Sequence, residues 1–127
     1  MCAKIQRNME KQQALDYFQN LYLVAVADGK LAEEEKKTLV KFAQKMGINA
    51  REASQIMLNI RFLDFAIPED KDEQMNQLRD IVKLMMSDGH IHDKEYELCR
   101  RFAEKIGKTE VTLNMIIDNI KEESKTI

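Results

Sequence analysis

The sequence predicts an all-α protein, a single domain of two tandem three-helix repeats with a period of 60 residues, packed with pseudo-two-fold symmetry. Three observations carry this expectation. Turn-forming residues are scarce, with Pro68 the only proline and four glycines in 127 residues, whereas sandwiches and barrels of this length need many more. Apolar residues recur at the i, i+3, i+4, i+7 spacing of an amphipathic helix. Finally, the chain shifted by 60 residues aligns on itself without a gap. Identities fall at Asp28/Asp88, Gly29/Gly89, Glu35/Glu95, Phe42/Phe102, Ala43/Ala103, Lys45/Lys105, Gly47/Gly107, Ile56/Ile116, Asn59/Asn119 and Ile60/Ile120. A fixed ungapped period means one supersecondary unit used twice, and one such unit is too small to bury its own apolar face. The domain is expected over residues 8–123, with repeats at about 8–60 and 68–120, and polar tails at 1–7 and 124–127.

The first helix is expected from Asn8, with Leu15, Phe18, Leu21, Tyr22, Ala25 and Val26 on a broad apolar face. Its end, Leu21 to Ala27, is apolar all round, which marks a helix buried on every side. It stops at Asp28-Gly29, where glycine suits the left-handed residue just past a helix. A second helix starts near Ala32 or Glu33, with Glu33, Glu34 and Glu35 at the positive end of its dipole and a stripe of Leu39, Phe42, Ala43 and Met46. Gly47 ends it. Asn49 with Glu52 has capping-box spacing for a third helix, whose apolar face is Ala53, Ile56, Met57 and Ile60.

The join carries Phe62, Leu63, Phe65 and Ile67, too many large apolar residues for a solvated linker, so it should fold back on the core. Pro68 suits the first turn of the fourth helix, which carries Met75, Leu78, Ile81, Val82, Met85 and Met86 to Asp88-Gly89. The fifth runs from about His92 to Ile106 with Cys99, Phe102 and Ala103 inside. Thr109 is the expected cap of the sixth, with Leu113, Ile116, Ile117 and Ile120 inside, and Lys121–Ile127 reads as a tail. Met46, Met57, Met75, Met85, Met86 and Met115 read as core filling.

Several classes of function are disfavoured by composition. A net charge of −2 argues against nucleic acid as a partner. Cys2 and Cys99 form no disulfide framework, which fits a reducing cytoplasm. The apolar run Leu21–Ala27 is too short to span a bilayer, and no signal peptide opens the chain. No glycine-rich phosphate loop and no Ser or Cys nucleophile with a nearby base is present, so the expectation is a protein that is not an enzyme.

The segments Ala25-Val26-Ala27-Asp28-Gly29-Lys30-Leu31-Ala32-Glu33-Glu34-Glu35 and Met86-Ser87-Asp88-Gly89-His90-Ile91-His92-Asp93-Lys94-Glu95 resemble the duplicated A-D-G-x-I-x-x-x-E signature of TerB-like domains. That family includes the tellurite-resistance protein TerB and N-terminal regions of some membrane co-chaperones. The resemblance covers roughly residues 10 to 120. It implies an all-helical cytoplasmic domain tied to stress responses near the inner membrane face, acting through bound metal or partner proteins.

Two sets of residues are candidates for function. Asp28 and Asp88 each sit at the unfavourable end of a helix dipole. They are read either as caps that accept N–H groups from the next helix or as ligands of a divalent metal ion. A standard calcium loop is excluded, because its first and third ligand places fall on Val24 and Val26, or on Leu84 and Met86. The candidate metal set is Asp28, Glu35, Asp88, His90, His92, Asp93 and Glu95, the histidine pair suiting zinc or another transition ion. The second set is basic: Lys37, Lys41, Lys45, Arg101 and Lys105. It is read either as a surface for an acidic partner or for peripheral contact with anionic lipid, or as a solvated face with Glu33–Lys37 and Glu97–Arg101 pairs. The leading expectation is a non-catalytic protein-interaction module associated with stress or the envelope. The alternative is a metal-sensing domain built on the Asp-Gly loops.

Overall fold

The computed structural model describes residues 10–27, 29, 33–87 and 89–125. Six α-helices follow one another: α1 (Lys11–Ala25), α2 (Glu33–Lys45), α3 (Ala50–Leu58), α4 (Lys71–Met85), α5 (Asp93–Lys105) and α6 (Glu110–Lys125), with a 3-10 turn (Ile60–Phe62) after α3. Among the described residues there is no strand, and no helix is long and apolar enough to cross a membrane. The starts of α4, α5 and α6 fall sixty residues after those of α1, α2 and α3.

α1 and α4 are the central pair. α1 packs on α2, α3, α4, α5 and the 3-10 turn, and α4 packs on α1, α2, α5 and α6. Leu21, Val24 and Ala25 of α1 meet the same core as Leu78, Ile81, Val82, Leu84 and Met85 of α4, all without solvent contact. None of Leu21 to Ala27 is exposed, as an all-round apolar segment requires. The outer helices are amphipathic and close over this pair. Phe102 of α5 is fully buried, and Phe65 meets its ring edge-on with centroids 5.2 Å apart.

Local chemistry sets the helix ends. Asn49 and Glu52 form the reciprocal capping box: the Glu52 N–H donates to Asn49 Oδ1 at 2.8 Å and the Asn49 N–H to Glu52 Oε1 at 3.0 Å. Lys11 of α1 adds an ion pair to the same carboxylate at 3.0 Å and donates to the Gly47 carbonyl at 2.9 Å, tying α1 to the α2–α3 turn. These donors hold the Glu52 carboxyl below the usual range, the Asn49 backbone N–H contributing most. Asn49→Ala is expected to lower stability by about 1 kcal/mol, read from a urea melt at constant slope. The α2 and α5 ends close alike: the Ile48 N–H donates to the Ala43 carbonyl at 3.0 Å, and the Lys108 N–H to the Ala103 carbonyl at 2.8 Å.

The connection after α3 is tied in by Asn20, a fully buried residue of α1. Its amide donates to the Ala66 carbonyl and to Gln77 Oε1, both at 2.9 Å, and its oxygen accepts the Ala66 N–H at 2.8 Å.

Several expectations need correction. α1 is capped at Glu10 rather than starting at Asn8, which lies outside the described residues. Pro68 is not in the first turn of α4. Asp70 is the cap, because its carboxylate accepts the Glu73 N–H at 2.8 Å. The join does fold back through Phe65 and Ile67, but the 3-10 turn throws Phe62 into solvent. Met57 and Met115 are exposed, because helical spacing places them on the outer edge of their apolar faces. α6 continues to Lys125, so Lys121 onward is helix rather than tail.

Candidate functional site

The two Asp-Gly turns follow the ends of α1 and α4. After α1 the Val26 N–H donates to the Tyr22 carbonyl at 3.1 Å and the Gly29 N–H to the Val26 carbonyl at 3.0 Å. After α4 the Met86 N–H donates to Val82 at 3.0 Å and the Gly89 N–H to Met86 at 3.1 Å. Gly29 (φ +83°) and Gly89 (φ +85°) both occupy the left-handed region, and a side chain there would be strained even though nothing stands in its way. In the second turn the Ser87 hydroxyl also donates to the Leu84 carbonyl at 2.8 Å.

Among the candidate metal residues, Asp28 and Asp88 lie outside the described residues. The others divide. Glu35 is 1% exposed and Glu95 0%, so both acids of the repeated signature face the interior, where each has polar or electrostatic interactions. A carboxylate is costly to bury, and the chain bears that cost at the same place in both halves. Burial pushes the Cys99 thiol up, and the adjacent Glu95 carboxylate pushes it further, so Cys99 is a poor nucleophile and metal ligand.

His90 is exposed, and the half-buried His92 is the residue preceding α5. Their ring centroids are 6.4 Å apart at 51°. Among the described residues, no three His, Cys, Asp or Glu side chains converge where a metal ion could be held. Asp93 is exposed in the first turn of α5. What the described part of the turn offers an ion is therefore two imidazoles with flanking carboxylate charge.

Most of the basic set stands free. Lys37, Lys41 and Lys45 are exposed on α2, with the exposed Val40 among them, and none makes an ion pair among the described residues. The anticipated Glu33–Lys37 and Glu97–Arg101 pairs do not reach contact distance, although the Arg101 charge still acts on Glu97. Glu33 instead approaches Lys36 at 3.9 Å, and Glu97 binds Arg100, a three-residue spacing in both cases. Arg100 also binds Glu104; its hydrogen bond and charge, with the charge of Arg101, hold Glu97 low, and the two carboxylates together raise the pKa of Arg100. Lys105 differs from the other lysines, lying 3.8 Å from Asp64 of the connection, while Arg101 is exposed.

The burial of Glu35 and Glu95 was not anticipated from the sequence, although a signal was present. Glu34 and Glu35 are equivalent acids in a first turn, yet sixty residues on they become Lys94 and Glu95. Only the second is held to its identity.

Residues 1–58 match the family model described as tellurite resistance protein TerB. No curated protein and no solved structure matches the chain significantly. The matched segment contains α1, α2, α3 and the first Asp-Gly turn with its buried Glu35. Over that segment, which is less than half of its length, the chain is similar to TerB.

Proposed function

We propose that the chain is a non-catalytic protein-interaction module, associated with stress or the cell envelope and working in a reducing cytoplasm. The TerB match supports the stress association, and a buried free thiol at Cys99 is compatible with the compartment. The observation that carries the interaction reading is the outer face of α2. Lys37, Lys41 and Lys45 stand exposed and without ion pairs among the described residues, on one helix with the exposed Val40. Uncompensated charge at helical spacing favours an acidic partner surface, and such contacts steer association and weaken with salt. Crosslinking in the native cell is expected to capture a partner with the parent chain and to lose it with Lys37→Glu/Lys41→Glu/Lys45→Glu. An identical set of captured proteins from both would sink this reading.

The proposal extends to the architecture. Helices α1–α3 and α4–α6 are read as two copies of one unit related by a pseudo-two-fold axis. Their equal spacing, the paired left-handed glycines and the paired buried glutamates support it.

A second reading, divalent metal binding at the Asp-Gly turns, is favoured by the proximity of the His90 and His92 rings. Under it, chelator-treated protein titrated calorimetrically with zinc, manganese, magnesium and calcium shows micromolar binding. That binding disappears in His90→Ala/His92→Ala or in Asp28→Asn/Asp88→Asn. Absence of heat with all four ions would remove this reading and leave the turns as structural caps.

A further inference from the structure

The outward faces of α3 and α6 differ in a complementary way. On α3, Arg51, Gln55 and Leu58 stand at i, i+4 and i+7, and Phe62 follows at i+11 in the 3-10 turn. On α6, Val111, Met115, Asp118 and Glu122 occupy the same four register positions. All eight are exposed: Leu58 is 80% open to solvent, Phe62 78%, Val111 68% and Met115 59%. The first face is apolar and basic, with Arg61 adding to Arg51, and neither arginine has an ion pair among the described residues. The second is apolar and acidic. Within the chain α3 packs on α1, while α6 packs on α4 and α5.

From this we infer that a second copy of the chain docks head-to-tail, the α3 face of one copy lying antiparallel on the α6 face of the next. In that register Leu58 meets Met115, Phe62 meets Val111, Gln55 meets Asp118 and Arg51 meets Glu122. Lys121, beside Glu122, falls opposite Glu52. Other pairings of these faces fail on charge. A parallel register sets Leu58 and Phe62 against Asp118 and Glu122. Two α6 faces in antiparallel register place carboxylates on Val111 and Met115, and two α3 faces leave Asp118 and Glu122 of α6 without a basic counterpart. Desolvating a carboxylate against an apolar side chain is unfavourable, and the antiparallel α3–α6 register is the one that sets Arg51 against Glu122 while keeping the apolar residues together. The contact is heterologous: each copy keeps one face unused and the assembly can grow. Two short helices bury less than the roughly 800 Å² per partner of a standard stable interface, so association belongs at high protein concentration.

Sedimentation equilibrium of the full chain tests this independently of the α2 lysine face, which every variant keeps. The weight-average mass should rise with concentration. Arg51→Glu and Glu122→Arg should each weaken association about tenfold, and the double variant Arg51→Glu/Glu122→Arg should recover most of it. Leu58→Glu and Val111→Glu should each be monomeric alone yet form a 1:1 dimer when mixed, because each retains the face the other has lost. Circular dichroism confirms that each variant keeps its helices. A chain monomeric at concentrations on the order of a millimolar overturns the inference. So does a charge-swap variant no better than its singles, or a mixture that stays monomeric.

Discussion

Phe102→Ala is expected to destabilise the protein by about 3–5 kcal/mol, shifting the denaturant midpoint by a large fraction of its total. The ring has no solvent contact and packs edge-on against Phe65, so truncation loses both transfer free energy and an aromatic pair and leaves a cavity between α5 and the connection. Phe42 sits sixty residues earlier but is half-buried, its ring 5.9 Å from that of Tyr17. Phe42→Ala is therefore expected to cost clearly less. Equilibrium urea unfolding of both variants checks the ordering, and equal costs would contradict the burial difference.

The second large effect is polar. Asn20→Leu is expected to cost about 3 kcal/mol, because it strips partners from the Ala66 N–H, the Ala66 carbonyl and the buried Gln77 amide while leaving them in place. Leucine is close in size, so lost packing contributes little and the penalty reports unsatisfied polar groups. Gln77→Leu on top of Asn20→Leu removes one of the stranded groups. The double variant should lie closer to the parent than the sum of the two singles, a coupling a double-mutant cycle measures directly. An Asn20→Leu variant as stable as the parent would show that this bridge does not hold the connection against α1.

The lysine face of α2 was legible because exposed charge at helical spacing follows from sequence alone, and Lys37, Lys41 and Lys45 are where the pattern puts them. The partners of its neighbours were not. Glu33 and Glu97 choose bases three residues on instead of four, since both spacings are neighbours on a helix and side-chain rotamers decide between them. The burial of Glu35 was not anticipated. Glu35 looked like one of three equivalent first-turn carboxylates, but a first turn has an inner side, and packing against the central pair turned that side into the core.

The six helices, their order and several of their ends were legible in the sequence. Those are local matters: the 3.6-residue apolar period, a glycine where a left-handed residue is needed, and Asn49 with Glu52 in reciprocal capping distance. It also marked α1 as central, since no residue from Leu21 to Ala27 could face water without loss. Packing settled what depends on residues far apart in the chain. It turned Phe62, Met57 and Met115 outward while taking Phe65 in, and used Asn20 to clamp a segment 46 residues away. It also buried Glu35 and Glu95. An apolar or acidic residue has the same intrinsic preference at every such position, and only the neighbours that packing supplies determine whether water or protein satisfies it.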